Sequence, residues 1–170
     1  MKTVYQGLAI RDTLTHFRLQ FPSSRIPRPT VLIPGMPRLK SIHISNLDPL
    51  CYNDDISLLI CEARGLEALN LHWSPRMRNV REPSVYLQNY LGRLAETNYK
   101  LRPKELQFFN MFARNDGTLG KCIAVERVER LAFLNCMEHD DPTTVFVDNS
   151  WVIGNHEYTN LKMVKRLRAD

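Results

Sequence analysis

The segment Leu66-Glu-Ala-Leu69-Asn-Leu71 sets leucines at positions one, four and six of a short frame. The frame returns in Leu14-Thr-His-Phe17-Arg-Leu19, Leu39-Lys-Ser-Ile42-His-Ile44, Pro103-Lys-Glu-Leu106-Gln-Phe108 and Val128-Glu-Arg-Leu131-Ala-Phe133. Weaker versions are Pro142-Thr-Thr-Val145-Phe-Val147 and Tyr158-Thr-Asn-Leu161-Lys-Met163. Positions four and six are two residues apart, so an extended strand turns both to one face. One such strand cannot bury its apolar face alone; copies must stack side by side and share a core. The first positions, 14, 39, 66, 103, 128, 142 and 158, are separated by 25, 27, 37, 25, 14 and 16 residues. Three of these spacings fall in the roughly 20 to 29 residues of a unit made of one strand and one covering segment. The gap of 37 holds a basic loop and a long helix, and the gaps of 14 and 16 leave room for a loop only.

The stretches between the copies supply the covering layer. Residues 54–64 read as a short helix, with Asp54 and Asp55 in its first turn and Gly65 just past its end. Residues 85–98 read as a longer helix whose Leu87, Tyr90, Leu91 and Leu94 keep the three-and-four spacing of one buried stripe. Residues 2–11 can form a helix with Val4, Tyr5, Leu8 and Ala9 on one face. Pro22, Pro27, Pro29, Pro34 and Pro37 forbid a regular helix, so that stretch is an extended crossing. Asn115-Asp-Gly-Thr118 is a turn, followed by a short helix or coil. The expected architecture is α/β: a leucine-rich-repeat-like solenoid, with a curved parallel sheet and helices on its convex side. It forms a single domain over residues 1–170. Phe17, Leu19, Ile42, Ile44, Leu69, Leu71, Leu106, Phe108, Leu131 and Phe133 form the expected core.

Composition narrows the function classes. Hydrophobic residues make up 44% of the chain, enough for a core, yet no apolar run approaches the roughly 20 residues of a membrane helix. No membrane association is expected. The first residues do not read as a secretory signal. Cys51, Cys61, Cys122 and Cys136 form no CxxC pair, and Cys61 and Cys136 fall on apolar positions; reduced, mostly buried thiols fit an intracellular protein, cytoplasmic or nuclear. The net charge of +5 is local: Arg76, Arg78 and Arg81 follow the central strand, and Lys162, Lys165, Arg166 and Arg168 crowd the C-terminus. These clusters suit solvated loops, with nucleic-acid binding through the basic loop and tail as the alternative reading.

The chain resembles the C-terminal leucine-rich-repeat region of fungal F-box-type proteins. Four segments carry the resemblance: Leu39-Lys-Ser-Ile-His-Ile-Ser-Asn-Leu47, the helix ending in Arg64-Gly65 before Leu66, Tyr99-Lys-Leu-Arg-Pro-Lys-Glu-Leu-Gln-Phe108, and Val128-Glu-Arg-Leu-Ala-Phe-Leu-Asn-Cys136. Cys136 stands at position nine, where the cysteine-containing repeat class has its Cys; the other copies place Pro22, Leu47, Ser74 and Met111 there. The resemblance implies substrate selection for a cullin-based ubiquitin ligase, with the repeats holding the substrate. Only thirteen residues precede Leu14, too few for the F-box module. Binding of the ligase adaptor is therefore not expected of this chain, and the domain is expected to be truncated at both ends.

Positions three, five and seven project away from the core and define the candidate interaction face. Its partner-binding residues are expected to be His43, Asn70, His72, Glu105, Gln107, Phe109, Arg130, Leu134, Phe146 and Asp148, with Phe109, Leu134 and Phe146 close together on adjacent strands. His43 and His72 could approach each other, but no HxxxH or Cys pair completes a metal site. His139-Asp140-Asp141 reads as a turn before Pro142, and Ser74 and Ser150 lack a nucleophile-elbow context. Neither catalysis nor a cofactor or metal is expected. The favoured class is a protein-interaction scaffold whose partner is a protein or a ubiquitylation substrate.

Overall fold

A computed structural model of the chain describes residue 7 and residues 13–21, 33–47, 56–73, 86–114, 116–138 and 163–167. The elements in chain order are β1 (His16–Gln20), β2 (Ser41–Leu47), α1 (Ile56–Glu62), β3 (Ala68–Trp73), α2 (Leu87–Ala95), β4 (Glu105–Phe109), β5 (Phe112–Ala113), α3 (Thr118–Cys122), a 3₁₀ turn (Val125–Arg127), β6 (Arg130–Leu134), β7 (Met137–Glu138) and β8 (Met163–Leu167). The principal sheet has the order β1-β2-β3-β4-β6-β8, and all of its pairs are parallel. Parallel neighbours require a crossover between them, and α1, α2 and α3 lie in three of those connections.

Side-chain alternation sets the register. Phe17, Ile42, Leu69, Leu106 and Leu131 stand opposite one another in succession, as do Leu19, Ile44, Leu71, Phe108 and Phe133. A slip of one residue would turn each apolar set to solvent, so burial of one face locks the copies in step. All ten residues are buried except Leu19, which is half-buried; it lies on β1, whose one strand neighbour among the described residues is β2. Leu39, Leu66 and Val128 at position one are also buried.

The helices close this face. Ile56, Leu59 and Ile60 of α1, Leu87, Tyr90, Leu91 and Leu94 of α2, and Leu119 and Cys122 of α3 join the strand residues in one core cluster. The α2 stripe is the one its spacing predicts, although the helix runs from Leu87 to Ala95 rather than 85–98; Thr97 ends it by donating its hydroxyl to Leu94 O at 2.8 Å. α1 ends at Glu62 rather than at residue 64, and Asp54 and Asp55 lie outside the described residues. Gly65 does not adopt the left-handed conformation expected of a helix stop; a turn closed by Leu66 N donating to Ala63 O at 3.0 Å ends the segment instead. Cys61, Cys122 and Cys136 are free thiols, and Cys122 is pushed up to about 11, chiefly by burial.

Two backbone devices repeat from copy to copy. At the start of the strands, Thr15, Lys40, Glu67 and Lys104 each offer a carbonyl that accepts two N–H groups of the next copy; Lys40 O, for example, accepts from Glu67 at 2.8 Å and Ala68 at 3.0 Å. At the far end, Asn46, Asn110 and Asn135 have φ of 56°, 57° and 54°, the left-handed region that Asn tolerates better than most residues. The chain bends there, and beyond Asn110 and Asn135 the short strands β5 and β7 pair in parallel.

The C-terminal part departs from the expected frame. β6 is hydrogen-bonded directly to β8, with Leu131 opposite Val164, so position four falls on Val164 and not on Leu161. Leu161, Met163, Val164 and Leu167 offer apolar residues of both parities, and pattern alone could not select the register. The expected strand at 142–147 and the N-terminal helix at 2–11 lie outside the described residues, Gly7 excepted.

Candidate functional site

The face opposite the helices carries positions three, five and seven. Pairing assembles them into three cross-strand rows. The first is His16, Ser41, Ala68, Glu105, Arg130; the second is Arg18, His43, Asn70, Gln107, Ala132; the third, on β3, β4 and β6, is His72, Phe109, Leu134. His43, Asn70, His72, Glu105, Gln107, Phe109 and Leu134 are half-buried, Arg130 is exposed and Ala132 is buried, on a face that no described helix covers. Eight of the ten sequence-derived candidates therefore share one surface.

Phe146 and Asp148 lie outside the described residues. The expected trio of Phe109, Leu134 and Phe146 on adjacent strands is not what the register delivers: Leu134 stands between Phe109 and Leu167. The aromatic partner of Phe109 is instead His72, edge-on with ring centroids 5.6 Å apart.

Polar contacts organise the rows. Arg130 pairs with Glu105 at 2.5 Å, and Gln107 Nε2 donates to Glu105 Oε1 at 2.5 Å. His43 Nε2 lies 2.9 Å from Ser45 Oγ. Burial, and then the Arg18 guanidinium, hold His43 below the ordinary histidine pKa; burial, and then His43, do the same for His72. Both imidazoles are thereby biased to the neutral form. Asn70 Oδ1, in the middle row, is buried without a hydrogen-bond partner.

Around this face lies what pattern reading missed. Position two carries an alternating ladder in which Glu67 receives Lys40 and Lys104, each at 3.1 Å, and these hydrogen bonds, Lys40 first, hold its carboxyl below the usual range. A groove of about 430 Å³ opens above it, lined by side chains that include His16, Lys40, Glu67, Lys104, Glu105 and Arg130. At the other end, Asn135 Nδ2 donates to Asn110 Oδ1 at 2.7 Å, Asn110 Nδ2 donates to Trp73 O at 3.3 Å, and Asn46 Nδ2 donates to Phe21 O at 3.1 Å. The recurrence of Asn at position eight of three copies was the available signal.

Among the described residues no three His, Cys, Asp or Glu side chains form a metal-ligating group, and no helix is long and apolar enough to cross a membrane. Arg76, Arg78, Arg81, Lys162 and Arg168 lie outside the described residues. What the open face offers is amide, imidazole and charged hydrogen-bonding groups beside a small apolar step at Phe109 and Leu134. No protein-family model, curated protein or solved structure matches the chain.

Proposed function

We propose that the chain is a leucine-rich-repeat-like solenoid and a protein-interaction scaffold, with the open sheet face as its concave binding surface. The observation that carries this reading is the in-step register of β1, β2, β3, β4 and β6, which turns position-specific side chains into continuous cross-strand rows. Such rows can meet an extended or flat partner with many weak polar contacts around a few apolar anchors. The His72, Phe109, Leu134 row supplies the anchors, and Glu105 with Arg130 supplies a polar rim. The resemblance to the repeat region of F-box-type proteins extends the reading to substrate recognition for a ubiquitin ligase inside the cell.

The test is affinity capture with the wild-type chain beside Phe109→Ala, Leu134→Ala and His43→Ala, with folding checked by circular dichroism. Both apolar truncations should reduce recovery of the captured partner while the fold persists, and His43→Ala should matter less. Equal recovery by all four proteins would remove the open face as the binding surface. Steeply salt-dependent binding to random duplex DNA would favour the alternative built on the basic loop and tail.

A further inference from the structure

Two clefts lie beside the starts of β4 and β6. One, of about 370 Å³, is lined by Arg102, Lys104, Arg127 and Glu129. The other, of about 440 Å³, includes Lys100, Arg102 and Glu126 in its wall. Arg102 lines both, which sets the two clefts side by side in a trough. Its walls are tied together by backbone: Leu101 N donates to Cys122 O at 2.8 Å, Ala124 N to Leu101 O at 2.8 Å, and Glu129 and Arg130 both donate to Lys104 O. The cations therefore stand on two mutually fixed segments rather than on independent loops.

Charge in the trough is unbalanced. Lys104 shares Glu67, and Glu126 and Glu129 already have polar or electrostatic contacts of their own. Among the described residues, the exposed guanidiniums of Arg102 and Arg127 have no ion-pair partner. Holding like charges together is unfavourable until an anion joins them, and a guanidinium matches a carboxylate with two parallel hydrogen bonds.

We propose that this trough binds an acidic segment of a protein partner, with carboxylates on Arg102 and Arg127. The inference rests on the scaffold reading, because Lys104 lines both the trough and the groove on the open face, so one partner can run from one to the other. Glu126 and Glu129 favour a peptide over nucleic acid: they interrupt the positive surface, which suits separated carboxylates and opposes a phosphate backbone of dense, continuous charge.

Fluorescence anisotropy of the full chain with labelled oligoglutamate, oligoglutamine and single-stranded DNA tests the assignment. Oligoglutamate should bind and oligoglutamine should not. Joint Arg102→Gln and Arg127→Gln substitution should weaken oligoglutamate by at least about tenfold. Arg102→Lys with Arg127→Lys should fall between, and Arg114→Gln should match wild type. Absence of oligoglutamate binding, equal weakening by Arg114→Gln, or tighter binding of DNA through the same two arginines would overturn the proposal. If oligoglutamate binding depends on Arg102 and Arg127 while partner capture ignores Phe109 and Leu134, the trough stands and the open-face reading falls. If partner capture needs Phe109 and Leu134 and oligoglutamate does not bind, the trough falls alone.

Discussion

Asn110 Nδ2 lies 3.3 Å from His72 Nε2, across the boundary between β3 and the turn that ends β4. The amide orientation is set by its other contacts, since Oδ1 accepts from Asn135 and Nδ2 donates to Trp73 O. His72 Nε2 must then be the acceptor, which puts the imidazole proton of the neutral ring on Nδ1. One asparagine thus supports the left-handed turn after β4 and orients a side chain of the open face.

Two substitutions separate those roles. Asn110→Gly keeps the positive φ of 57° accessible but removes the side-chain bonds, whereas Asn110→Ala removes both. The alanine variant should be less stable than the glycine variant by about 1–2 kcal/mol, the cost of a left-handed conformation for a residue with a Cβ. Urea unfolding of the two proteins measures the difference. Equal midpoints would mean that the turn imposes no such requirement.

Stability should also fall with mild acid. His43 and His72 both have folded pKa values below their unfolded ones, so the unfolded chain takes up protons first as pH drops. Stability present above the unfolded value of about 6.5 is lost as pH falls from there through the folded pKa values. Protonated His72 also loses its role as acceptor from Asn110. Joint His43→Gln and His72→Gln substitution should flatten the unfolding free energy between about pH 7 and pH 5, above the main carboxylate range. An unchanged slope would place the titration elsewhere.

Core depth can be read by truncation. Leu69 is fully buried in a strand flanked on both sides, and Leu69→Ala should cost about 2–5 kcal/mol. Leu19 is half-buried on β1, and Leu19→Ala should cost no more than about 1–2 kcal/mol. Thermal or urea unfolding gives both values. A larger loss at Leu19 than at Leu69 would contradict the position of β1 at the sheet's margin.

Strands β1, β2, β3, β4 and β6 were legible because burial on one face turns a period of two into a register, as in Leu69 and Leu71, whereas the short β5 and β7 carried no such repeat. The same logic located eight of the open-face candidates. It failed where apolar residues occupy both parities, at Leu161, Met163 and Val164; the neighbour expected for Leu134, Phe146, came from the separate copy at 142–147, whereas β6 pairs directly with β8. The asparagine contacts escaped because Asn110 and Asn135 follow the apolar frame; their effect depends on backbone conformation, which hydrophobic periodicity does not encode. Arg102 and Arg127 are 25 residues apart in sequence. The pairing of β4 with β6, together with the backbone bonds of Leu101 to Cys122 and Ala124, brings their segments to one cleft.

The proposed partner lies on the open sheet face. The most direct measurement is photo-crosslinking from a benzophenone side chain at Gln107, in the middle row, compared with one at Asn89, exposed on α2. Gln107 should label the captured partner and Asn89 should not, and Phe109→Ala should diminish the Gln107 crosslink. Labelling from Asn89 with none from Gln107 would contradict that placement.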